Sequence, residues 1–109
     1  MGYIRHHAII LTHYDRAEID DARRFAELCN LNPTPVSESP YNGYLTFFIP
    51  PDGSKEGWSQ SNDGNEERKR LKQFIRKRHQ YMDWTEISYG GDDGHSLVED
   101  DCTKKDPEE

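Results

Sequence analysis

The stretch Tyr44-Leu45-Thr46-Phe47-Phe48-Ile49 is the clearest strand signal in the chain, because aromatic and β-branched residues dominate it. Asn42-Gly43 directly before it is typical of a hairpin turn, and Pro50-Pro51 ends it. Successive side chains of a strand point to opposite faces of a sheet. The positions predicted to face the core are therefore Leu45, Phe47 and Ile49.

On the amino-terminal side of this stretch, the sequence predicts a strand, a helix and a weak second strand. Residues 3–12 are rich in apolar and β-branched types and suit a central strand. A helix over residues 16–29 follows, with Asp15 as its cap and apolar residues at helical spacing. Residues 34–41 form a weak strand, which two prolines place at a sheet edge.

On the carboxyl-terminal side, the sequence predicts a polar loop over residues 52–65, a helix over 66–81 and a last strand over 84–89. The second helix begins with acids and continues with bases, as the helix dipole favours. We expect its bases to form a solvated face, with one stripe made of Lys69, Lys72 and Arg76. The alternatives are a contact with phosphate or an acidic protein, and screening of the stripe by the chain's own acidic tail.

The order of these elements is β-α-β-β-α-β, which predicts an α+β fold of the ferredoxin-like type. The expected architecture is a sandwich in which a four-stranded antiparallel sheet has both helices on one face. The alternative is another small α+β sandwich in which the proline-rich second strand does not form. Residues 1–91 are predicted to make up this single domain.

The end of the chain differs from the rest in composition. Residues 90–109 hold eight of the 21 acidic residues and two of the 14 basic ones, while the net charge of the whole chain is -7. From Leu, Ile, Val and Phe, this segment has only Leu97 and Val98. Ordering a residue costs about 1–2 kcal/mol, which so few apolar side chains do not offset. Residues 92–109 are therefore predicted to be a disordered acidic tail.

The face of the sheet that points away from the helices is the first candidate binding surface. The residues assigned to it from the third and last strands are Tyr44, Thr46, Phe48, Trp84, Glu86 and Ser88, with Ile87 and Tyr89 in the core. If Ala8 and Ile10 of the first strand face the helices, this face also holds Arg5, His7, Ile9 and Leu11. An uncovered aromatic and apolar face marks a partner or ligand surface. A second protomer, a ligand or nucleic acid, or the tail or a loop could cover it.

The loop after the third strand is the second candidate. Gly53 and Gly57 free the backbone for a close approach, Lys55 can reach an anion, and Trp58 can stack on a partner. A loop of this length is unusual in so small a domain. The alternative is a structural turn in which Trp58 covers the edge of the sheet.

Several function classes find no support in the sequence. The five histidines and two cysteines lack zinc-site spacing, so no metal or cofactor is predicted, and no catalytic motif assigns a catalytic residue. Nucleic acid is disfavoured as a partner, because the domain has no overall basic charge. No apolar run is long enough to span a membrane. Both cysteines are expected to be reduced thiols in an intracellular protein.

Four segments carry a resemblance to known proteins, and they are residues 5–12, residues 42–44, Pro51-Asp52-Gly53-Ser54-Lys55-Glu56-Gly57-Trp58 and residues 83–90. In these segments the chain resembles a group of small uncharacterised proteins encoded by tailed bacteriophages. The resemblance covers about residues 1–91 and brings no known activity or site residues. It implies a cytoplasmic setting in an infected bacterium and an accessory role, such as binding a host protein or sequestering a nucleotide signal.

Two hypotheses about function follow. The first is a non-enzymatic binding protein, a phage accessory or counter-defence factor, that holds a host protein or a small anionic, nucleotide-like ligand. Its candidate binding residues are Arg5, His7, Tyr44, Phe48, Lys55, Trp58, Trp84 and Glu86. The alternative is a small dimeric α+β-barrel enzyme, in which paired open faces enclose a pocket with His7 as the acid–base residue. An enclosed pocket with His7 and Glu86 in contact would favour the enzyme, and a flat exposed face the binding protein. A homodimer through the open face is compatible with both.

Overall fold

The computed structural model describes residues 5–53, 59–91 and 95–104, with the backbone alone for residues 59–61. Within these residues, the elements in chain order are β1 (His6–His13), α1 (Arg16–Leu28), β2 (Ser37–Glu38), β3 (Leu45–Ile49), α2 (Ser59–Arg78), β4 (Asp83–Tyr89) and β5 (Leu97–Asp101).

The strands form one open sheet in the order β2-β3-β1-β4-β5, and each neighbouring pair is antiparallel. β1 lies at the centre of the sheet, where both of its edges are paired. The predicted α+β fold with an antiparallel sheet and two helices is confirmed. The predicted number of strands is wrong, because the described part of the chain forms five strands rather than four.

Both helices contribute to one core on one side of the sheet, which we call the helix-covered face. Ile19 of α1 and Leu71 and Ile75 of α2 are buried in the same cluster as Leu11 and Phe47. Burying a side chain of this size stabilises the fold by about 1.5–3 kcal/mol. The opposite side of the sheet is the open face.

The register of β1 decides which side chains share the helix-covered face. Leu11 lies opposite Phe47 on β3 and opposite Trp84 on β4, and Ile9 lies opposite Glu86. Directly opposite residues of antiparallel strands point to the same side. The core side predicted for β3 is therefore correct, whereas the open side predicted for Trp84 and Glu86 is wrong.

The sequence left the buried side of β1 undecided, and the structure shows the reverse of the arrangement considered there. Ile9 and Leu11 are fully buried under the helices, while Ile10 is 39% exposed on the open face. His7 points to the same side as Ile9, because side chains two apart on a strand share a face. The apolar run in β1 has two apolar sides, and the helices cover the bulkier pair, Ile9 and Leu11, rather than Ala8 and Ile10.

The two faces predicted for β4 are reversed as well. Ile87 and Tyr89, which we expected in the core, lie on the open face, and Tyr89 is 36% exposed. Ser88, which we expected on the open face, is fully buried on the helix-covered face.

The observed bounds of the two helices match the predicted bounds to different degrees. α1 ends within one residue of its prediction, and the Asp15 side chain accepts a hydrogen bond of 2.9 Å from the Ala17 amide as its cap. α2 begins at Ser59, so the predicted loop is wrong for residues 59–65. The first turns of α2 extend beyond the core and largely expose residues 62–66, so no apolar period marks them. Neither described helix is long and apolar enough to cross a membrane.

The segment predicted as a disordered tail contains β5. Leu97–Asp101 pairs with β4, and the Cys102 amide donates to the Trp84 carbonyl at 3.1 Å. The prediction is therefore wrong for these residues, and residues 92–94 and 105–109 lie outside the described part of the chain. Backbone pairing and ion pairs order this strand, which the count of apolar residues did not anticipate.

Candidate functional site

The open face is a largely apolar surface with two acidic side chains. Its members in the described part of the chain are His6, Ala8, Ile10 and Thr12 from β1, Ser37 from β2, Thr46 and Phe48 from β3, Asp83, Thr85, Ile87 and Tyr89 from β4, and Val98 and Asp101 from β5. Ile10 lies directly opposite Phe48, which is 43% exposed, and Val98 is 56% exposed. Large apolar side chains that stay exposed side by side are typical of a docking surface.

Polar groups lie at the two ends of this face. At one end, the hydroxyl groups of Thr12 and Thr46 are hydrogen-bonded at 3.0 Å. At the other end, the rings of His6 and Tyr89 are in contact, with their centroids 5.2 Å apart. The apolar residues therefore occupy the middle of the face, between two polar borders.

A second candidate site lies on the helix-covered face, where α2 meets β4. The Glu86 carboxylate is buried, accepts a hydrogen bond of 2.6 Å from Lys72 Nζ and lies 3.4 Å from Arg68 Nε. Arg68 is also buried, lies 3.6 Å from Asp52 Oδ2 and donates to Asn65 Oδ1. A buried charge persists only when it is paired, so Glu86 and Arg68 depend on each other.

β5 extends this cluster through Asp100. One carboxylate oxygen of Asp100 lies 3.3 Å from Lys72 Nζ, and the other accepts a hydrogen bond of 2.8 Å from Arg76. The Arg76 guanidinium also lies over the Trp84 ring, 4.8 Å from its centroid. Burial alone would raise the pKa of Asp100, but the hydrogen bond from Arg76 and the charge of Lys72 outweigh it and lower that pKa overall. Asp100 therefore acts as a charged link between β5 and α2.

Arg68, Lys72 and Arg76 form a row that we call the cation row. Their spacing of four residues places them along one side of α2. The side chain of Lys72 is 15% exposed and that of Arg76 is 11% exposed. The predicted solvated stripe is therefore wrong for these two residues, although Lys69 is exposed as expected.

An open cleft of about 440 Å³ lies beside the cation row. His7 and Glu86 both line it, together with residues of both charges from α2 and β5. Both oxygens of the Glu86 carboxylate face cations, one toward Arg68 and the other toward Lys72. We therefore interpret Glu86 as a member of the buried ion-pair cluster.

A third polar group joins the two helices. His79 is buried, its Nδ1 contacts the Glu18 carboxylate and its Nε2 lies 2.9 Å from Asp21 Oδ2. Burial alone would raise the pKa of Asp21, but the hydrogen bonds with His79 and Arg24 outweigh it and lower that pKa overall. This group ties α2 to α1, and we interpret it as structural.

The predicted site residues are divided between the two faces. Phe48 lies on the open face. Tyr44 directly precedes β3 and is 40% exposed, with its ring in edge contact with Tyr14. His7, Trp84 and Glu86 lie on the helix-covered face instead. The structure therefore does not unite these five residues in one site.

Of the other three predicted residues, Arg5 alone lies within the described part of the chain, and it is not on the open face. Arg5 is buried and donates hydrogen bonds to the Gly90 carbonyl at 2.6 Å and to Ser88 Oγ at 3.3 Å, which ties the start of β1 to the end of β4. Lys55 and Trp58 lie outside the described residues. Their predicted contact with a ligand stays a prediction.

Sequence reasoning missed the roles of Arg68, Asp100 and Val98. The four-residue spacing of the cation row was a signal that could have placed Arg68 beside Lys72. No local pattern identifies the partner of Asp100, because β5 reaches α2 only through its pairing with β4.

The fold and the two sites define a class of protein. In the part of the chain that the structure describes, it is an α+β protein whose antiparallel sheet is covered by helices on one face and open on the other, with a buried ion-pair cluster at its helical side. Among the described residues, no group of three His, Cys, Asp or Glu side chains could hold a metal ion. Comparison of the chain with protein-family models, with curated proteins and with solved structures found no match.

Proposed function

We propose that the protein is a non-enzymatic binding protein that docks a protein partner on its open face. The observation that carries this proposal is the group of exposed apolar side chains formed by Ile10, Phe48 and Val98. The centre of a protein interface is depleted of charge, and its rim is polar. The open face has this composition, with the hydroxyl groups of Thr12 and Thr46 at one border.

The two edges of the sheet are less suitable for a partner. β2 is only two residues long, and β5 carries Glu99, Asp100 and Asp101. Very short strands and charged side chains disfavour pairing between the edges of two molecules. A partner with an apolar surface therefore fits the open face better than either edge.

The partner that we propose is a host protein in the cytoplasm of a phage-infected bacterium. The resemblance of residues 1–91 to tailed-phage proteins supports this setting. A nucleotide-like ligand suits the open face less well, because the strand residues described on this face include no Lys or Arg to bind its phosphates and do include Asp83 and Asp101. An enzyme formed by paired open faces is also less suitable, because such a pocket would not contain His7 and Glu86.

We also propose that β1 to β4 and the two helices are a ferredoxin-like sandwich to which β5 adds an edge strand. The alternation of strands and helices up to β4 and the antiparallel pairing of β3, β1 and β4 support this assignment. β5 departs from it.

The experiment compares Phe48→Asp with Tyr41→Asp. Both variants replace an exposed aromatic residue by aspartate, but Tyr41 is 95% exposed and lies outside the open face. Each immobilised protein is incubated with a bacterial lysate, the retained proteins are identified by mass spectrometry, and the strongest candidate is purified and titrated by calorimetry. Circular dichroism verifies that both variants remain folded.

We expect a purified candidate that binds the wild type and Tyr41→Asp with equal affinity. Phe48→Asp should weaken this binding at least tenfold, about the effect of losing a central interface side chain. Equal binding by all three proteins would contradict the proposal. So would a dimeric wild type that Phe48→Asp makes monomeric, because a second copy would then cover the face.

A further inference from the structure

β5 is attached to the domain by backbone pairing, by ionic contacts and by hydrogen bonds from Ser88 Oγ to the Glu99 carboxylate at 2.6 Å and from Thr85 Oγ1 to the Asp100 carbonyl at 3.4 Å. None of its five residues is buried, and Leu97 and Val98 are more than half exposed. Its pairing with β4 is interrupted by a bulge at Glu86/Ile87. Apolar burial therefore contributes little to holding this strand in place.

The ionic contacts of β5 converge on Arg76 and Asp100. Arg76 donates to the Asp100 carboxylate at 2.8 Å and to the backbone carbonyls of Asp101 and Lys104 at 3.3 and 3.1 Å. Lys72 lies 3.3 Å from the same carboxylate. Two largely buried cations thus bind one acidic side chain and the backbone that follows it.

These contacts show which chemical groups the edge of β4, together with Lys72 and Arg76, can bind. The edge of β4 offers backbone hydrogen-bonding groups to an extended chain, and the pairing places Asp100 directly opposite Glu86. Lys72 and Arg76 favour a carboxylate at that position, since the Asp100 carboxylate pairs with both of them. Addition of a strand to a sheet edge is a common mode of peptide binding.

We propose that the edge of β4, with Lys72 and Arg76, is a binding site for an extended acidic segment of a partner protein, and that β5 occupies this site until the segment displaces it. Gly90 and Gly91 precede β5 and both have φ values of +80°, a conformation that favours glycine, so the chain can turn sharply there. The site is separate from the open face and does not depend on the function proposed for it.

A separate partner is a better occupant than the β5 strand of a second copy. β5 is attached through a short connection, which gives it an effective concentration on the order of millimolar. An identical strand from a second copy would make the same contacts without this advantage. A partner segment that makes additional contacts elsewhere on the protein can overcome it.

The test uses a fluorescent peptide that copies residues 95–104 with Cys102→Ser, because this acidic sequence is known to fit the site. Its binding is measured by anisotropy to the full-length wild type, to Asp100→Lys and to Asp101→Lys. The first variant places a cation against Lys72 and Arg76 and should release β5. The second is its charge-matched control, because the Asp101 carboxylate accepts hydrogen bonds from Thr103 and not from α2.

We expect the peptide to bind Asp100→Lys at least about tenfold more tightly than it binds the other two proteins. A peptide with asparagine at the position of Asp100 should bind it more weakly. Equal affinity for all three proteins, no binding to any of them, or equal affinity for the acidic and amide peptides would overturn the proposal. A wild-type dimer that Asp100→Lys abolishes would also overturn it, since a second copy would then be the occupant.

Hydrogen exchange on the wild type tests the same proposal without a variant. The amides of β5 should exchange through a local opening, at least about tenfold faster than those of β1. Equal protection in β5 and β1 would mean that β5 leaves only when the whole domain unfolds, which would overturn the proposal. Failure of the Phe48→Asp experiment would not affect either result, because Phe48 lies on the other face.

Discussion

Replacing Glu86 by glutamine tests whether the buried ion-pair cluster holds α2 on the sheet. The carboxylate faces Lys72 at 2.6 Å and Arg68 at 3.4 Å, and both cations are largely buried. Removing one partner of a buried ion pair usually costs about 3–5 kcal/mol, because the other charge stays buried. Here each cation keeps a second partner, since Lys72 contacts Asp100 and Arg68 lies near Asp52. We therefore expect Glu86→Gln to reduce the free energy of unfolding by about 2–4 kcal/mol.

The measurement is urea denaturation followed by far-ultraviolet circular dichroism. For a domain of this size, the expected loss corresponds to a fall in Tm of roughly 10–25 °C. Glu27→Gln is the matched control, because its carboxylate pairs with Arg23 at 2.8 Å on the surface and is 55% exposed. An exposed pair of this kind contributes less than about 1 kcal/mol. If Glu86→Gln costs no more than Glu27→Gln, the cluster does not stabilise the fold and our reasoning is refuted.

Three further predictions concern the stability of the domain. Phe47→Ala should cost about 3–5 kcal/mol in urea denaturation and Phe48→Ala much less, because Phe47 is 1% exposed and Phe48 is 43% exposed; the reverse order would mean that the faces are misassigned. The lowered pKa values of Asp21 and Asp100 stabilise the folded state above about pH 4, and this stability is lost as the pH falls through the folded pKa values. The urea midpoint of Asp21→Asn should therefore fall less steeply than that of the wild type between about pH 4 and pH 2, and parallel curves would contradict this. Deleting residues 95–109 should lower Tm by at least about 4 °C in a calorimetric scan, whereas an unchanged Tm would show that β5 contributes no stability.

The parts of the fold that the sequence predicted well depend on local signals. α1 was predicted within one residue, because its cap at Asp15 and its apolar period lie within the helix itself. The core side of β3 was predicted because Leu45, Phe47 and Ile49 form one apolar set and the residues between them are mixed. Both signals act over a few residues, so they can be read without knowing the neighbouring elements.

The candidate site was predicted less well, because the faces of β1 and β4 are not locally distinguishable. In β4, Trp84 and Glu86 alternate with Thr85 and Ile87, and each set contains one apolar and one polar residue. A shift of one residue moves a whole set to the other face. The charges of Lys72 and Arg68 make a buried position acceptable for Glu86 on the covered side of β4, where Trp84 is also buried.

The sequence by itself determined the class of fold, the bounds of α1 and the core side of β3, because periodicity and caps are encoded in neighbouring residues. Only the tertiary structure decided that residues 97–101 form β5 and that Asp100 reaches Lys72 and Arg76. These contacts join residues that are 24 or more positions apart. The sequence offered contact between the acidic tail and the Lys72 and Arg76 stripe only as an alternative, because the strand and the residue that make this contact depend on pairing with β4.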